Sequence, residues 1–84
     1  MRNDFLYDKL LEHGFFVEFL HDAWKKTNDY TARKKGIVFS WRTFGSGDNK
    51  VAVDMIASCK DLEQEHEFVE ILNDIYTTYN KETV

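Results

Sequence analysis

Hydrophobic residues in the first third of the chain occur as adjacent pairs, and within each half of this segment the pairs repeat every four residues. Leu10-Leu11 and Phe19-Leu20 are two of these pairs. A repeat of four residues places the pairs along one side of a helix, so the pattern predicts a helix over residues 4–27. Gly14 interrupts this pattern and is unfavourable inside a helix, so the alternative is a helix that breaks after His13.

Alternating hydrophobic residues predict two β-strands in the middle of the chain, over residues 31–43 and 50–59. A turn over residues 44–48 would join them into an antiparallel hairpin. One face of the hairpin is apolar, and the other face is mixed. The cross-strand partners predicted on the apolar face are Ile37 with Met55, Phe39 with Val53, and Trp41 with Val51.

The last third of the chain predicts a second helix, over residues 61–80. Asp61 is suited to cap its first turn, and Gln64 follows three residues later, as in a capping box. One side of this helix is acidic. The predicted apolar stripe consists of Leu62, Phe68, Val69, Leu72, Ile75, Tyr76 and Tyr79.

These elements predict a small α+β fold, with one compact domain over residues 1–84. The predicted order is helix–strand–strand–helix, in which two amphipathic helices pack on an antiparallel hairpin. A two-stranded hairpin leaves both of its edges unpaired and is marginally stable in water. Pairing between the hairpins of two chains would create a four-stranded sheet, so we expect a homodimer.

Composition restricts the class of protein. The chain of 84 residues is 43% hydrophobic and 31% charged, as expected for a globular domain. Uninterrupted apolar runs are far shorter than the roughly 20 residues of a membrane span. The N-terminal residues predict no signal peptide, and a lone cysteine is typical of a reducing compartment. We therefore expect a cytoplasmic protein that does not enter a membrane.

Residues that commonly carry catalysis are present, but not in catalytic patterns. His13 and His21 are eight residues apart, which is poor spacing for two metal ligands on one helix. Cys59 follows the apolar alternation and is predicted to pack as a small hydrophobic residue. The Gly45-Ser46-Gly47 segment precedes a strand, whereas a phosphate-binding loop precedes a helix. We expect no catalytic residue, no metal, no cofactor and no enzymatic activity.

Basic residues concentrate in the middle of the chain, although the net charge is −4. Basic side chains that contact phosphates and aromatic rings that stack on bases are the components of single-strand recognition. One hypothesis is therefore an RNA or single-stranded nucleic-acid binder. Its predicted contact residues are Arg33, Lys34, Lys35, Arg42, Phe44 and Lys50.

The acidic side of the second helix suggests a different contact, with the basic surface of a larger intracellular protein. The predicted contact residues are Glu63, Glu67, Glu70 and Asp74. No family motif is present, and the overall composition is typical of small regulators such as phage-type inhibitors and antitoxins. The favoured hypothesis is a non-catalytic inhibitor or regulator that associates stoichiometrically with a macromolecular partner. The two hypotheses are compatible if that partner itself carries RNA.

Overall fold

The computed structural model describes residues 1–44 and 50–83 and contains a four-stranded antiparallel sheet with two helices, which confirms the α+β class. The strands follow one another in the sheet in chain order. The elements are α1 (Asn3–Glu12), β1 (Phe16–Asp22), β2 (Thr27–Lys34), β3 (Ile37–Phe44), β4 (Val53–Cys59), a short 3-10 helix (Leu62–Gln64) and α2 (Glu65–Thr83).

The first helix ends at Glu12, so the predicted helix over residues 4–27 is wrong and the alternative break after His13 is confirmed. Gly14 has a φ of 86°, a left-handed conformation that glycine adopts without steric cost. The Gly14 N–H donates to the Leu11 carbonyl at 2.9 Å, and the Phe15 N–H donates to the Leu10 carbonyl at 3.0 Å. These two bonds form a Schellman motif, in which Phe15 packs with Leu10 in the core.

The segment predicted as one strand over residues 31–43 contains parts of two strands. Lys35 and Gly36 separate β2 from β3, and both have positive φ, at 47° and 83°. Positive φ at both central residues is characteristic of a type I′ hairpin turn. The first half of β2, residues 27–30, lay outside the predicted strand because its residues are largely polar. The predicted order helix–strand–strand–helix is therefore corrected to one with four consecutive strands.

The predicted register between the two central strands is also wrong. Ile37 lies opposite Cys59, and Phe39 lies opposite Ala57. The shift covers four positions at Ile37 and Phe39, so Met55, Ala57 and Cys59 keep their predicted face. The irregularity between Ser40 and Arg42 places Val53 opposite Arg42, so Val53 does not keep its predicted face. Residues 50–52 pair instead with the N-terminal segment, where the Asn3 N–H donates to the Lys50 carbonyl at 2.9 Å. The predicted turn over residues 44–48 lies outside the described residues except for Phe44. The segment at 45–47 lies wholly outside them.

Both helices pack on one face of the sheet. Ile71 lies in this core, although the predicted stripe of the second helix omitted it. Leu62, Val69 and Tyr76 belonged to that predicted stripe but are exposed. The sheet reaches four strands within one chain, so its size does not require a second copy. The buried apolar residues are Phe5, Leu6, Leu10, Phe15, Ala32, Ile37, Phe39, Trp41, Ile71 and Ile75.

Replacing Ile71 with alanine is expected to lower the free energy of unfolding by about 2–5 kcal/mol, because it leaves a cavity in the core. The matched control is Ile56→Ala on the exposed side of β4, which should cost less than about 0.5–1 kcal/mol. Urea unfolding followed by circular dichroism measures both. Equal costs for the two variants would contradict the assignment of Ile71 to the core.

Candidate interaction surface

Neither helix of the described residues lies on one face of the sheet, and strand alternation determines which side chains this face presents. We call this surface the open face. It bears four large apolar side chains that are mostly exposed, and they are distributed over β1, β3 and β4. Their exposed fractions are 67% for Phe16, 77% for Leu20, 56% for Phe44 and 68% for Ile56. Phe44 and Ile56 lie on the adjacent strands β3 and β4, whereas Phe16 and Leu20 lie on β1, across the polar strand β2. Exposed apolar side chains rimmed by polar residues are typical of an interaction surface.

The charged residues of the open face are arranged in pairs across the strands. Arg42 Nε donates to Asp29 Oδ1 at 2.7 Å, and Arg33 Nη1 lies 3.7 Å from Glu18 Oε1. The hydrogen bond to Asp29 raises the pKa of Arg42, and the nearby Asp54 carboxylate acts in the same direction. Arg42 therefore lies in an acidic environment. Asp29, Arg42, Asp54 and Ile56 contribute to a shallow depression of about 280 Å³.

The structure does not gather the basic residues predicted for nucleic-acid binding on one surface. Arg33 and Arg42 lie on the open face, where each pairs with a carboxylate. Lys34, the neighbour of Arg33, points to the opposite side of the sheet and contacts Glu67 at 2.6 Å. Lys35 occupies the turn between β2 and β3.

Of the other two members of that predicted set, Phe44 shares the open face with the paired arginines and Lys50 lies apart from them. Phe44 is exposed at the end of β3. Lys50 is half-buried beside the N-terminal segment, where its carbonyl accepts a hydrogen bond from Asn3. The six predicted residues are therefore distributed over both faces and one end of the sheet.

Two of the four carboxylates predicted for partner binding form ion pairs within the chain. The Lys34 hydrogen bond lowers the pKa of Glu67. Asp74 Oδ2 lies 2.7 Å from His13 Nε2 and 3.3 Å from Lys9 Nζ. Hydrogen bonds from His13 and Lys9, in that order of importance, lower the pKa of Asp74. These contacts fasten α2 to α1 and β2.

The remaining two predicted carboxylates are exposed. Glu63 lies in the 3-10 helix that precedes α2. Glu70 lies on α2, 3.0 Å from the exposed His66 ring. These two side chains are therefore the part of the predicted acidic contact that remains available to a partner.

A row of aromatic rings crosses β1, β2 and β3 on the helix-covered face. We call Phe19, Tyr30 and Trp41 the aromatic row. The Tyr30 and Trp41 rings are parallel, with centroids 5.2 Å apart, and the Phe19 and Tyr30 centroids are 5.6 Å apart. The row begins buried at Trp41 and ends 61% exposed at Phe19. The aromatic row was not predicted because residues 16–24 fell within the predicted helix.

The turn between β1 and β2 presents a second aromatic feature. Trp24 is 98% exposed in this turn. The Asp22 carboxylate accepts hydrogen bonds from the Trp24 and Lys25 backbone N–H groups, which holds the turn in place. The Trp24 indole is therefore exposed to solvent on a turn whose backbone is held by hydrogen bonds.

The residues considered for chemistry have ordinary structural partners. His21 Nδ1 lies 2.8 Å from Asn28 Oδ1. Cys59 is half-buried, and its thiol donates to the Asp61 carbonyl. Within residues 1–44 and 50–83, no group of three or more metal-ligating side chains is arranged to hold an ion. In the same part of the chain, no helix is long and apolar enough to cross a membrane.

The Asp74 contacts predict a pH-dependent stability. Because the folded-state pKa of Asp74 is lowered, its ion pairs stabilise the fold above the unfolded-state pKa of about 3.9. This contribution is lost as pH falls through the lower folded-state pKa. Asp74→Asn should reduce the free energy of unfolding by about 1 kcal/mol at pH 7, since the group is partly exposed.

Urea unfolding of the wild type and Asp74→Asn at pH 7 and about pH 2.5 measures this effect. The lower pH is about one unit below the ordinary pKa values of carboxyl side chains. The difference between the two proteins should shrink at the lower pH. Glu63→Gln is the control at an exposed carboxylate and should change little. An Asp74→Asn difference that is the same at both pH values would contradict the role of the Asp74 charge.

No protein-family model, curated protein or solved structure matches this chain. Its function is therefore inferred from its own surfaces.

Proposed function

We propose that this chain is a small non-catalytic protein that regulates or inhibits a larger protein by stoichiometric association, with the open face as its contact surface. The observation that supports this proposal is the exposure of four large apolar side chains on a sheet whose other face already forms the core. None of these four side chains belongs to the core that packs against the helices.

The open face combines exposed apolar side chains with a polar pair that contains an arginine. Aromatic residues and arginine are enriched at protein interfaces, whose rim is polar. Phe16, Leu20 and Ile56 supply apolar area, and the Asp29–Arg42 pair supplies a fixed polar contact. The shallow depression beside Ile56 offers a recess for one partner side chain.

The charges favour a protein over RNA or single-stranded DNA as the partner. Binding to phosphates requires cations whose charge is not already compensated. Arg33 and Arg42 are each paired with a carboxylate, and Lys34 is engaged on the opposite side of the sheet. An incoming phosphate backbone would also meet Asp54, which lies near Arg42.

Affinity capture from a lysate of the source organism tests the proposal, with the wild type compared with Ile56→Lys. The change places a charge on the β4 side of the open face, beside the depression, and should reduce recovery of the partner at least about tenfold. Leu62→Lys is the matched control, because Leu62 is 86% exposed in the 3-10 helix and does not belong to the strands that form the open face. Nuclease-treated and untreated halves should retain the same partner.

Three outcomes would contradict the proposal in different ways. Recovery of nucleic acid, with loss of protein after nuclease treatment, would establish the nucleic-acid hypothesis instead. Equal recovery by the wild type and Ile56→Lys would exclude the open face. Loss of the partner by Glu63→Lys/Glu70→Lys, with Ile56→Lys unaffected, would assign the contact to the acidic helix.

A further inference from the structure

We propose that two copies of this chain associate through their β1 strands, which pair antiparallel to form one eight-stranded sheet. Phe19 of each copy lies at the two-fold axis, which is perpendicular to the sheet. The proposal concerns the purified chain and does not depend on the larger partner proposed above. The sequence predicted a homodimer in which two-stranded hairpins pair. The contact proposed here is formed by the edge strand β1 instead.

The two edges of the sheet differ in their protection against strand pairing. Beside β4, the pairing with β3 is irregular between Ser40 and Arg42, and Asp54 has a positive φ of 54°. The segment before β4 is also bridged to the N-terminus, through Arg2 and Val51. Irregular backbone and a covering segment are common ways to block an edge.

The β1 edge has none of these protections in the described structure. Its seven residues, Phe16–Asp22, pair with β2 in an uninterrupted register. The strand contains no lysine or proline, and its two carboxylates have partners within the chain: Glu18 pairs with Arg33, and Asp22 accepts hydrogen bonds in the following turn. It lies at the end of the strand order, so its outer backbone groups face away from β2. The β1 edge is therefore ready to accept another strand.

The symmetry of β1 favours a second copy as that strand. A two-fold axis at Phe19 pairs all seven residues of both strands, because Phe19 is the middle residue of Phe16–Asp22. An axis at Glu18 would place like charges opposite each other. An axis at Leu20 would place Glu18 opposite Asp22 of the second copy. Directly opposed like charges destabilise strand pairs, so the Phe19 register is favoured.

The aromatic row supplies side-chain contact across this register. The spacing of 5.2–5.6 Å between its ring centroids is close to the separation of neighbouring strands. Pairing at Phe19 would place the exposed end of one row against the exposed end of the other. The result is six rings in succession across the dimer, with Trp41 of each copy at the two ends.

The same pairing covers apolar surface on both faces of the sheet. Phe16 and Leu20 lie on the open face, and Phe19 lies on the helix-covered face. Together with the strand backbones, these side chains bury on the order of 1,000 Å² from the two copies. This area is at the lower end for specific interfaces, so we expect a reversible dimer with a dissociation constant in the micromolar range.

Sedimentation velocity over about 1 µM to 1 mM tests the association. The wild-type mass should rise from 10.0 kDa toward twice that value as concentration increases. Phe19→Lys places a charge at the two-fold axis and should weaken association at least tenfold. Ile56→Lys is the matched control in the other edge strand and should still dimerise. Circular dichroism confirms that each variant is folded.

Cross-linking tests the register. In a Cys59→Ser background, Phe19→Cys places the two thiols at the axis, whereas Val17→Cys places each thiol opposite His21 of the second copy. A short bis-maleimide should link the Phe19→Cys protein several-fold more than the Val17→Cys protein. Equal linking would overturn the register. A wild type that stays monomeric throughout, or a dimer lost in folded Ile56→Lys but not in folded Phe19→Lys, would overturn the β1 interface.

Discussion

The structure depends on the burial of one side of β3 beneath two helices. Phe39 is at the centre of this contact, where its ring meets Phe15 edge-on at 5.5 Å and Phe68 at 6.0 Å. Ile71 and Ile75 of α2 complete the covering layer. Both helices of the described residues lie on this side of the sheet, and small domains bury a modest fraction of their surface. The opposite side of the sheet consequently remains in water, and the proposed contact surface follows from this constraint.

The ion pairs fix the placement of α2 on the core. Lys34 reaches from β2 to Glu67 and to the His13 carbonyl, while Asp74 contacts both Lys9 and His13. The residues from α1, the α1–β1 connection and β2 thus converge on one side of α2. Hydrophobic contact alone leaves a helix free to slide or rotate, whereas these directional bonds select one position. The carboxylates that perform this task are the ones that a solvent-exposed acidic helix would otherwise offer to a partner.

The sequence was sufficient to predict most of β4 and of α2, and to predict that β3 is extended, although as part of a longer strand over residues 31–43. The apolar residues of each of these segments follow a single period, that of a strand or that of a helix, so the sequence pattern agrees with burial in the structure. The segment from Phe15 to Trp24 was misread because adjacent apolar residues on an edge strand imitate a helical stripe. Gly14 was the available signal for a break, and Lys35-Gly36 was the signal for a tight turn. The β3–β4 register depended on pairing of residues 50–52 with the N-terminus, which no local pattern contains.

The predicted contact residues illustrate the same limit. Arg33 and Lys34 are adjacent in sequence but lie on opposite faces, because they belong to a strand that the pattern did not reveal. Glu67 and Asp74 could not be distinguished from Glu63 and Glu70 without the position of α1. The aromatic row joins three strands, so it becomes visible only when β1, β2 and β3 are in register. Surfaces made from several strands require the tertiary structure.

The central claim is that one face of the sheet is buried and the other is open. The chain contains four isoleucines, of which Ile37, Ile71 and Ile75 are buried and Ile56 is exposed on the open face. In a protein labelled at the isoleucine δ1-methyl groups, NMR relaxation by a soluble gadolinium chelate measures the exposure of all four. The account predicts strong broadening of the Ile56 signal and little effect on the other three. A protected Ile56, or broadening of Ile71 and Ile75 to the same extent, would contradict it.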